Sequence, residues 1–445
     1  MLKKFFEFDK HQTTVTREIL AGVTTFLTMA YILVVQPKVL ATDFAGDDTG
    51  MRPSAILLAT CLSSGFASIL MGLLARLPVA LAPGMGTNYF FVSVIMGIGG
   101  MQLTGVAWQQ ALAIVFVSGI LFLVISAVGA RQLILSVVPP GAKAAIGVGI
   151  GVFIAMLGLR NAGVIHAAPT LVELNFAGIR TSDAAVFWSG LVVTLILMTR
   201  RIPGSILAGL VVSGVVAAAW GKIEPTGIVG LPEGDSSLFF KLDFSAVMTA
   251  QGVSWILIFL FMDVFDTTGT LVGVTHRAGL TEDGEVPRMN RAMLADSVGT
   301  IFGSLVGTST VTSYVESAAG VQQGGRSGLT AVVTGVLFLV AVFLSPLLVA
   351  LSGYAPLTAS ALVVVGAMMF RGAADIDWDD ESEAIPAFLV IIGIPLFFSI
   401  GDGIALGLIA SPIVKLAAGK KSDVSVAAWV LSVLLLAYFF FVRAV

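Results

Sequence analysis

Long apolar runs alternate with short polar segments over most of the chain. As a helix, about 20 apolar residues span the roughly 30 Å hydrocarbon core of a membrane. The pattern predicts fourteen membrane segments, at 18–40, 53–75, 84–98, 107–129, 142–158, 184–199, 203–220, 250–275, 291–306, 313–323, 327–350, 357–370, 385–400 and 403–418. A further apolar segment at 424–443 is either an extra crossing or a tail lying on the membrane.

The third and tenth segments, 84–98 and 313–323, are too short to cross a bilayer as single helices. Pro83 breaks any helix before the first of them, and alternating hydroxyl residues at 308–313 predict an extended stretch before the second. We therefore expect a short extended stretch in each of these two broken helices. Each short segment follows two longer ones, which divides the chain into two related halves of seven. An odd number of segments inverts the second half, so we expect an inverted repeat, the common plan of secondary transporters.

Composition supports this all-α polytopic architecture. The chain is 57% hydrophobic and 11% charged, with a mean hydropathy of +0.99, whereas soluble domains carry about 25% charged residues. No basic patch indicates a nucleic-acid partner. Cys61 is the single cysteine and the three histidines share no ligand spacing, so the sequence predicts no disulfide, metal site or cofactor. Lysines and arginines in alternate loops place the N terminus inside.

Two carboxylates lie within the apolar stretch FLFMDVFDTTGTLVGV at 259–274. Asp263 and Asp266 are three residues apart and share one helix face, and Thr267 and Thr270 add hydroxyls nearby. A carboxylate at membrane depth usually faces a cavity or a partner. We therefore expect this face to hold a proton or a polar ligand; the alternative is a helix end in headgroup water.

The two short segments add further polar groups. Glu316 lies where a helix begins in mid-membrane, so it would sit beside whatever the helix amides bind; the alternative is a capping box with Ser313. Asn88 begins the helix of the other short segment, and Tyr89 follows it as a possible aromatic wall for a flat ligand. Carboxylates, an amide and aromatic rings suit a planar heterocycle with N–H and C=O edges, but they do not specify a purine.

The predicted site draws on all three stretches. Its substrate-binding residues are Asp266, Glu316, Asn88, Thr270, Val315, Ser317 and Tyr89, with Asp263, Thr267, Thr28 and Arg326 in supporting positions. Asp266 and Glu316 are also the candidates for proton coupling.

Several long motifs resemble one transporter family. They are TREILAGVTTFLTMAYILVVQP (16–37), LAPGMGTN, FDTTGTLVGV and GTSTVTSYVESAAGVQQGGRSGLTAVVTG (307–335). They are similar to those of the AzgA-like branch of the nucleobase–cation symporters, the hypoxanthine, guanine and adenine permeases. The chain departs from the expected pattern at Thr87 and Tyr89, which puts the size of the pocket in doubt.

The resemblance implies a fourteen-helix fold with core and gate domains, usually dimeric. In this chain the core would comprise 18–129 and 250–350, and the gate 142–220 and 357–418, with 424–443 as an additional segment. It also implies that acidic residues on segments 8 and 10, here Asp266 and Glu316, contact the base. Arg326 matches the family's arginine after segment 10; the alternative is a charge that only sets topology.

We therefore expect a secondary transporter that imports purine nucleobases across the cytoplasmic membrane by proton symport, through an elevator-like movement. Sodium is the alternative coupling ion. A facilitator without coupling and an anion transporter of the same inverted-repeat architecture are the alternative functions, although an anion carrier needs a positive centre. No enzyme is predicted, because the sequence has neither paired metal-binding histidines nor a nucleotide loop of the GxxxxGK type.

Overall fold

The computed structural model describes residues 2–44, 46–97, 105–128, 140–168, 171–224, 227–230, 234–281 and 285–420, with a few residues between 424 and 436. Most of the predicted segment 424–443 therefore lies outside the described residues. All fourteen predicted segments coincide with helices or strand–helix units in the described part of the chain. Nine helical stretches there are long and apolar enough to cross a membrane, which confirms an all-α polytopic fold.

The first half contains seven segments after two short N-terminal helices, α1 and α2. The elements are α1 (Leu2–Phe5), α2 (Phe8–His11), α3 (Val15–Met29), α4 (Ile32–Ala41), α5 (Pro53–Leu74), β1 (Leu81–Pro83), α6 (Met85–Met96), α7 (Trp108–Val128), α8 (Pro140–Asn161), β2 (Ile165–Ala168), β3 (Leu171–Leu174), α9 (Ser182–Thr199) and α10 (Ser205–Ala219). Helices α3 and α4 together form the first segment.

The second half repeats this order. Its elements are α11 (Ala250–Arg277), α12 (Met289–Val306), β4 (Val311–Ser313), α13 (Ser317–Gln322), α14 (Gly328–Ala341), α15 (Ser345–Ser352), α16 (Ala355–Met369), α17 (Glu381–Phe397) and α18 (Ile400–Ala417). The boundary between α17 and α18 lies a few residues before the predicted one. Phe398 takes a left-handed conformation, and the Ser399 hydroxyl caps α18 by accepting the Asp402 N–H at 3.2 Å.

The two broken segments meet at their extended stretches. Strands β1 and β4 pair antiparallel, with Leu81 opposite Ser313 and Pro83 opposite Val311. The Tyr314 hydroxyl donates to the Pro83 carbonyl at 2.5 Å and ties the two stretches together. Each strand then leads into a short helix, α6 or α13. The two extended stretches predicted in segments 3 and 10 are thus confirmed.

Helix packing separates two groups. In one group, α5 packs against α12 and α14, α3 against α13 and α14, and α7 against α11 and α12. In the other, α8 packs against α16 and α17, α9 against α10 and α16, and α17 against α18. Small residues permit the closest approaches: a Cβ added at Gly335 would lie 2.7 Å from the carbonyl oxygen of Gly65.

The N-terminal helices are fixed to the first group by charge. Glu7, between α1 and α2, accepts hydrogen bonds from Arg76 at 2.9 Å and from Arg288. Arg76 follows α5 and Arg288 precedes α12, so one carboxylate joins three parts of the chain. Phe6 and Phe8 are buried against Leu329 beside it.

Candidate functional site

A cavity with two adjoining lobes lies between the two helix groups. The lobes have volumes of about 560 and 580 Å³, within the range of roughly 300–1,000 Å³ that is usual for small-molecule sites. The residues that line both lobes are Gly147, Asp266, Thr270, Val315, Met369, Gly372 and Asp375. They come from α8, α11, the start of α13 and the end of α16, so both helix groups contribute to the wall.

Asp266 lies on α11 at the junction of the two lobes. Its side chain is exposed, but the space that it faces is this cavity. Thr270 follows one helical turn later and lines the same two lobes. The two residues present a carboxylate and a hydroxyl side by side, as their spacing on the helix predicts.

Glu316 lines the first lobe from the start of α13. Its side chain makes no capping hydrogen bond to the helix, and the Ser313 hydroxyl instead donates to Asp296 Oδ1 at 3.3 Å. The capping-box alternative is therefore wrong. Glu316 Oε1 accepts a hydrogen bond from the hydroxyl of Tyr31 at 2.9 Å, which holds the half-buried carboxylate at the cavity wall.

Two smaller predicted residues also reach the cavity. Val315 lines both lobes and is 48% exposed, so its side chain projects into the open space. Thr28 lines the first lobe, and its hydroxyl donates back to the Thr25 carbonyl at 2.8 Å. The cavity therefore has an apolar face next to its carboxylates, which suits a flat ring.

Two other predicted residues lie behind the wall. Ser317 is fully buried, and its hydroxyl oxygen accepts the Ala80 N–H at 3.0 Å. Thr267 is also fully buried, 2.9 Å from the Thr312 hydroxyl. The first contact joins α13 to the residue before β1, and the second joins α11 to β4. Neither side chain is in the described lining of either lobe.

Asn88 occupies a different place from the one expected. It is fully buried and exchanges hydrogen bonds with the side-chain amide of Gln36, and it also accepts one from Ser309. The Gln36 amide donates further to the Thr308 hydroxyl at 3.0 Å. This network joins α4, α6 and the stretch before β4, and Asn88 is absent from the described lining of both lobes. Its contact with substrate stays a prediction.

Tyr89 lies still farther from the carboxylates. It lines a separate pocket of about 220 Å³ that also contains Lys38 and Arg160. Its ring packs against Phe44 and Phe153, with centroids 6.1 and 6.2 Å away. The structure therefore does not bring Tyr89 together with Asp266 and Glu316.

Two further acids are buried behind β4. Asp263 Oδ2 lies 3.0 Å from the Thr300 hydroxyl, while Asp263 Oδ1 has no hydrogen-bond partner in the described structure. Asp296, on α12, is fully buried, and its Oδ2 is likewise unpartnered there. Asp296 was not among the predicted residues, although an acid within the predicted segment 291–306 gives the signal that singled out Asp263.

Arg326 makes its hydrogen bonds to Glu18 and to backbone carbonyls of its own loop. Its backbone N–H donates to Glu18 Oε1 at 2.9 Å, and its guanidinium donates to the carbonyls of Val321 and Gly325 at 2.6 and 2.8 Å. It lines neither lobe within the described residues.

The charges of the cavity are arranged with acids at its centre. Asp266 and Glu316 face the interior, whereas Arg277 ends α11 and Arg371 follows α16. Both arginines line the same lobe as the two acids, so the described lining of that lobe contains basic as well as acidic groups. Among the described residues, no group of three or more His, Cys, Asp or Glu side chains could hold a metal ion.

Known proteins resemble the chain over nearly its whole length. The model of a permease family, Xan_ur_permease, matches residues 16–439. The guanine/hypoxanthine permease of Bacillus subtilis is 41% identical over 99% of this chain and 100% of its own length. The adenine permease of Escherichia coli is 39% identical over 100% of this chain and 97% of its own.

A solved structure shares the fold. The transmembrane domain of the cyanobacterial bicarbonate transporter BicA superposes with a TM-score of 0.63 over 87% of this chain and 97% of that domain, at 15% sequence identity. The likeness establishes a transporter fold of core and gate domains built from an inverted repeat. The chain therefore belongs to the Xan_ur_permease family of nucleobase permeases, and it is a multi-pass protein of the cell membrane that transports rather than catalyses.

Proposed function

We propose that this permease imports purine nucleobases together with protons and binds the base between Asp266 and Glu316. One observation carries the proposal: acids from two different segments, α11 and the start of α13, face a single cavity of suitable size. The named activities of the relatives, guanine/hypoxanthine and adenine permeases, give the substrate class.

The cavity offers the chemistry that a purine requires. A purine ring presents N–H donors, C=O or ring-nitrogen acceptors and two apolar faces. An ionised carboxylate accepts hydrogen bonds from the ring N–H groups, and a protonated carboxyl can donate to a ring nitrogen or a carbonyl oxygen. Val315 and Met369 supply apolar contacts for the faces, and the Thr270 hydroxyl adds one adaptable partner.

Two acids that face one cavity support the proposed proton coupling. Two negative charges there repel each other, so taking up one proton stabilises the loaded site. Each pH unit across the membrane then contributes about 1.4 kcal/mol per proton. A potential of 100 mV contributes roughly 2.3 kcal/mol per charge, so the two gradients together can drive accumulation.

The movement in this proposal is a displacement of the core, 18–129 and 250–350, against the gate, 142–220 and 357–418. The cavity lies between the helix groups that these ranges contain, so such a displacement would carry the bound base from one side of the membrane to the other. A homodimer of the gate regions would keep the gate fixed while the core moves.

The test is uptake of radiolabelled hypoxanthine, guanine, adenine, xanthine and uracil into cells that lack their own permeases. We expect purine uptake that a proton uncoupler abolishes and that Asp266→Asn and Glu316→Gln each reduce at least tenfold. Glu381→Gln, an exposed acid on α17, is the matched control. Purine uptake that is insensitive to the uncoupler would identify a facilitator. Full uptake by both cavity variants would contradict the site.

A further inference from the structure

Tyr31 lies at an interruption in the first membrane segment. Helix α3 ends at Met29 and α4 begins at Ile32, and Tyr31 occupies the junction between them. The ring is 1% exposed and belongs to the large apolar core, so its position is fixed by packing. The hydroxyl at the end of this ring donates a hydrogen bond to Glu316 Oε1 at 2.9 Å.

This contact joins two segments that face the cavity from different directions. The nearby Thr28 cannot replace it, because the Thr28 hydroxyl donates to the Thr25 carbonyl and approaches only the backbone oxygen of Glu316, at 3.4 Å. The other buried tyrosine here, Tyr314, donates to Pro83. Tyr31 is therefore the side-chain donor that the described structure gives to Glu316.

We propose that Tyr31 is a positioning residue for Glu316, which holds the carboxylate at the cavity wall and sets the balance between its charged and neutral forms. The proposal rests on the proposed function, in which Glu316 binds the base and exchanges a proton. A phenol O–H donates strongly to an ionised carboxylate. A protonated carboxyl gains less from that donor, so the contact favours the charged form.

Other charged and titratable groups face the same cavity and set the background for this effect. Asp266 and Arg277 come from α11, and Arg371 and Asp375 follow α16. Replacing Tyr31 leaves all four in place, so a change in the titration of Glu316 reports the lost hydroxyl.

Tyr31→Phe removes the hydroxyl and keeps the ring. Because one hydrogen bond to the charged form is lost, we expect the pH at which Glu316 is half protonated to rise by about one unit, a tenfold change in proton affinity. Tyr354→Phe is the matched control, since that hydroxyl also donates to a carboxylate, Asp183 Oδ1 at 2.7 Å, away from the cavity.

The measurement is infrared titration of the protonated-carboxyl band of the purified full-length protein, assigned to Glu316 by its loss in Glu316→Gln. Tyr31→Phe should move the midpoint of this band upward, and Tyr354→Phe should leave it at the wild-type value. Coincident wild-type and Tyr31→Phe titrations would overturn the proposal. Tyr31→Met, which also removes the hydroxyl but fills the apolar site with a flexible side chain, provides a second variant with the same expected direction if Tyr31→Phe folds poorly.

Binding of radiolabelled hypoxanthine at several pH values gives the functional readout. We expect Tyr31→Phe to retain binding to a pH about one unit higher than wild type, because Glu316 stays protonated longer. Failure of the proposed function and failure of the proposed role of Tyr31 give different results. If wild-type protein binds no purine, the proposed function fails, while the infrared titration still decides whether Tyr31 controls Glu316.

Discussion

Glu18 provides the sharpest test of how the broken segment is held. It is fully buried near the start of α3, and its carboxylate accepts four hydrogen bonds. Oε1 accepts from the Arg326 N–H at 2.9 Å and the Thr13 hydroxyl at 2.7 Å. Oε2 accepts from the Ser327 N–H at 3.2 Å and the Thr330 hydroxyl at 2.6 Å. One side chain thus fixes the loop between α13 and α14.

Glu18→Ala leaves these donors without their acceptor. A buried donor that loses its partner costs about 1–3 kcal/mol. Two backbone N–H groups, on Arg326 and Ser327, lose theirs, and the hydroxyl of Thr330 keeps only a weak alternative in the Glu18 carbonyl at 3.4 Å. The Thr13 hydroxyl lies nearer the surface and can turn to water. The expected loss in the free energy of unfolding is therefore about 3–6 kcal/mol, a large part of a typical total of about 5–15 kcal/mol.

The assay is thermal unfolding of the purified protein in detergent. Glu18→Ala should lower the melting temperature by on the order of 5 to 10 °C, and Glu18→Gln, which keeps one oxygen acceptor, should fall between it and wild type. Glu381→Ala removes an exposed acid and should melt like wild type. If Glu18→Ala has the same melting temperature as the control, the four hydrogen bonds do not hold the loop and the reasoning is refuted.

Other contacts give further expectations. Tyr314→Phe loses the bond to the Pro83 carbonyl and should destabilise the paired strands by about 1–2 kcal/mol, measured by the same melting assay. Gly320→Ala would place a Cβ 2.5 Å from a carbonyl oxygen of α3, so we expect a loss of about 1–3 kcal/mol together with reduced uptake. Burial of Glu7 opposes its ionisation, but the two arginines beside it outweigh burial and hold the pKa of Glu7 below its ordinary value. A lowered folded-state pKa stabilises the protein fully above the ordinary pKa of a carboxyl group, so Glu7→Gln should melt earlier than wild type at pH 7. The difference should shrink as the pH falls through the lowered pKa of Glu7. A pH-independent difference would contradict this last expectation.

Local signals account for the parts of the fold that the sequence predicted. Hydropathy located the longer segments, because each is a continuous apolar run about long enough to cross the membrane. Pro83 and the hydroxyl-rich stretch at 308–313 marked the two broken helices, since backbone that lacks helical hydrogen bonds needs such residues. The repeat of seven segments then fixed the overall plan.

The partners of individual side chains were not predictable in the same way. Asn88 was expected at the cavity, but its amide is engaged by Gln36, 52 residues earlier in the chain. Tyr31 and Glu18 gave no sequence signal, because their partners, Glu316 and the loop after α13, are 285 or more positions away. In a segment buried on several sides, hydropathy does not say which face meets which neighbour.

Asp266 and Glu316 illustrate what sequence reasoning can reach. Each is an acid placed where apolar residues are expected, which indicates a cavity or a partner. The structure brings both to one cavity. It also shows that Asp263, three residues from Asp266 on the same helix, is 1% exposed and lies behind the cavity wall. Spacing along the helix alone does not tell the buried acid from the one that faces the cavity.

Equilibrium binding to purified protein tests the central claim most directly. Radiolabelled hypoxanthine, guanine and adenine would be titrated onto wild type, Asp266→Asn, Glu316→Gln and the control Glu381→Gln. We expect saturable binding of at least one purine, one molecule per chain, by wild type and the control, with affinity reduced at least tenfold in both cavity variants. Absence of saturable purine binding by folded wild-type protein, or unchanged affinity in both cavity variants, would contradict the account.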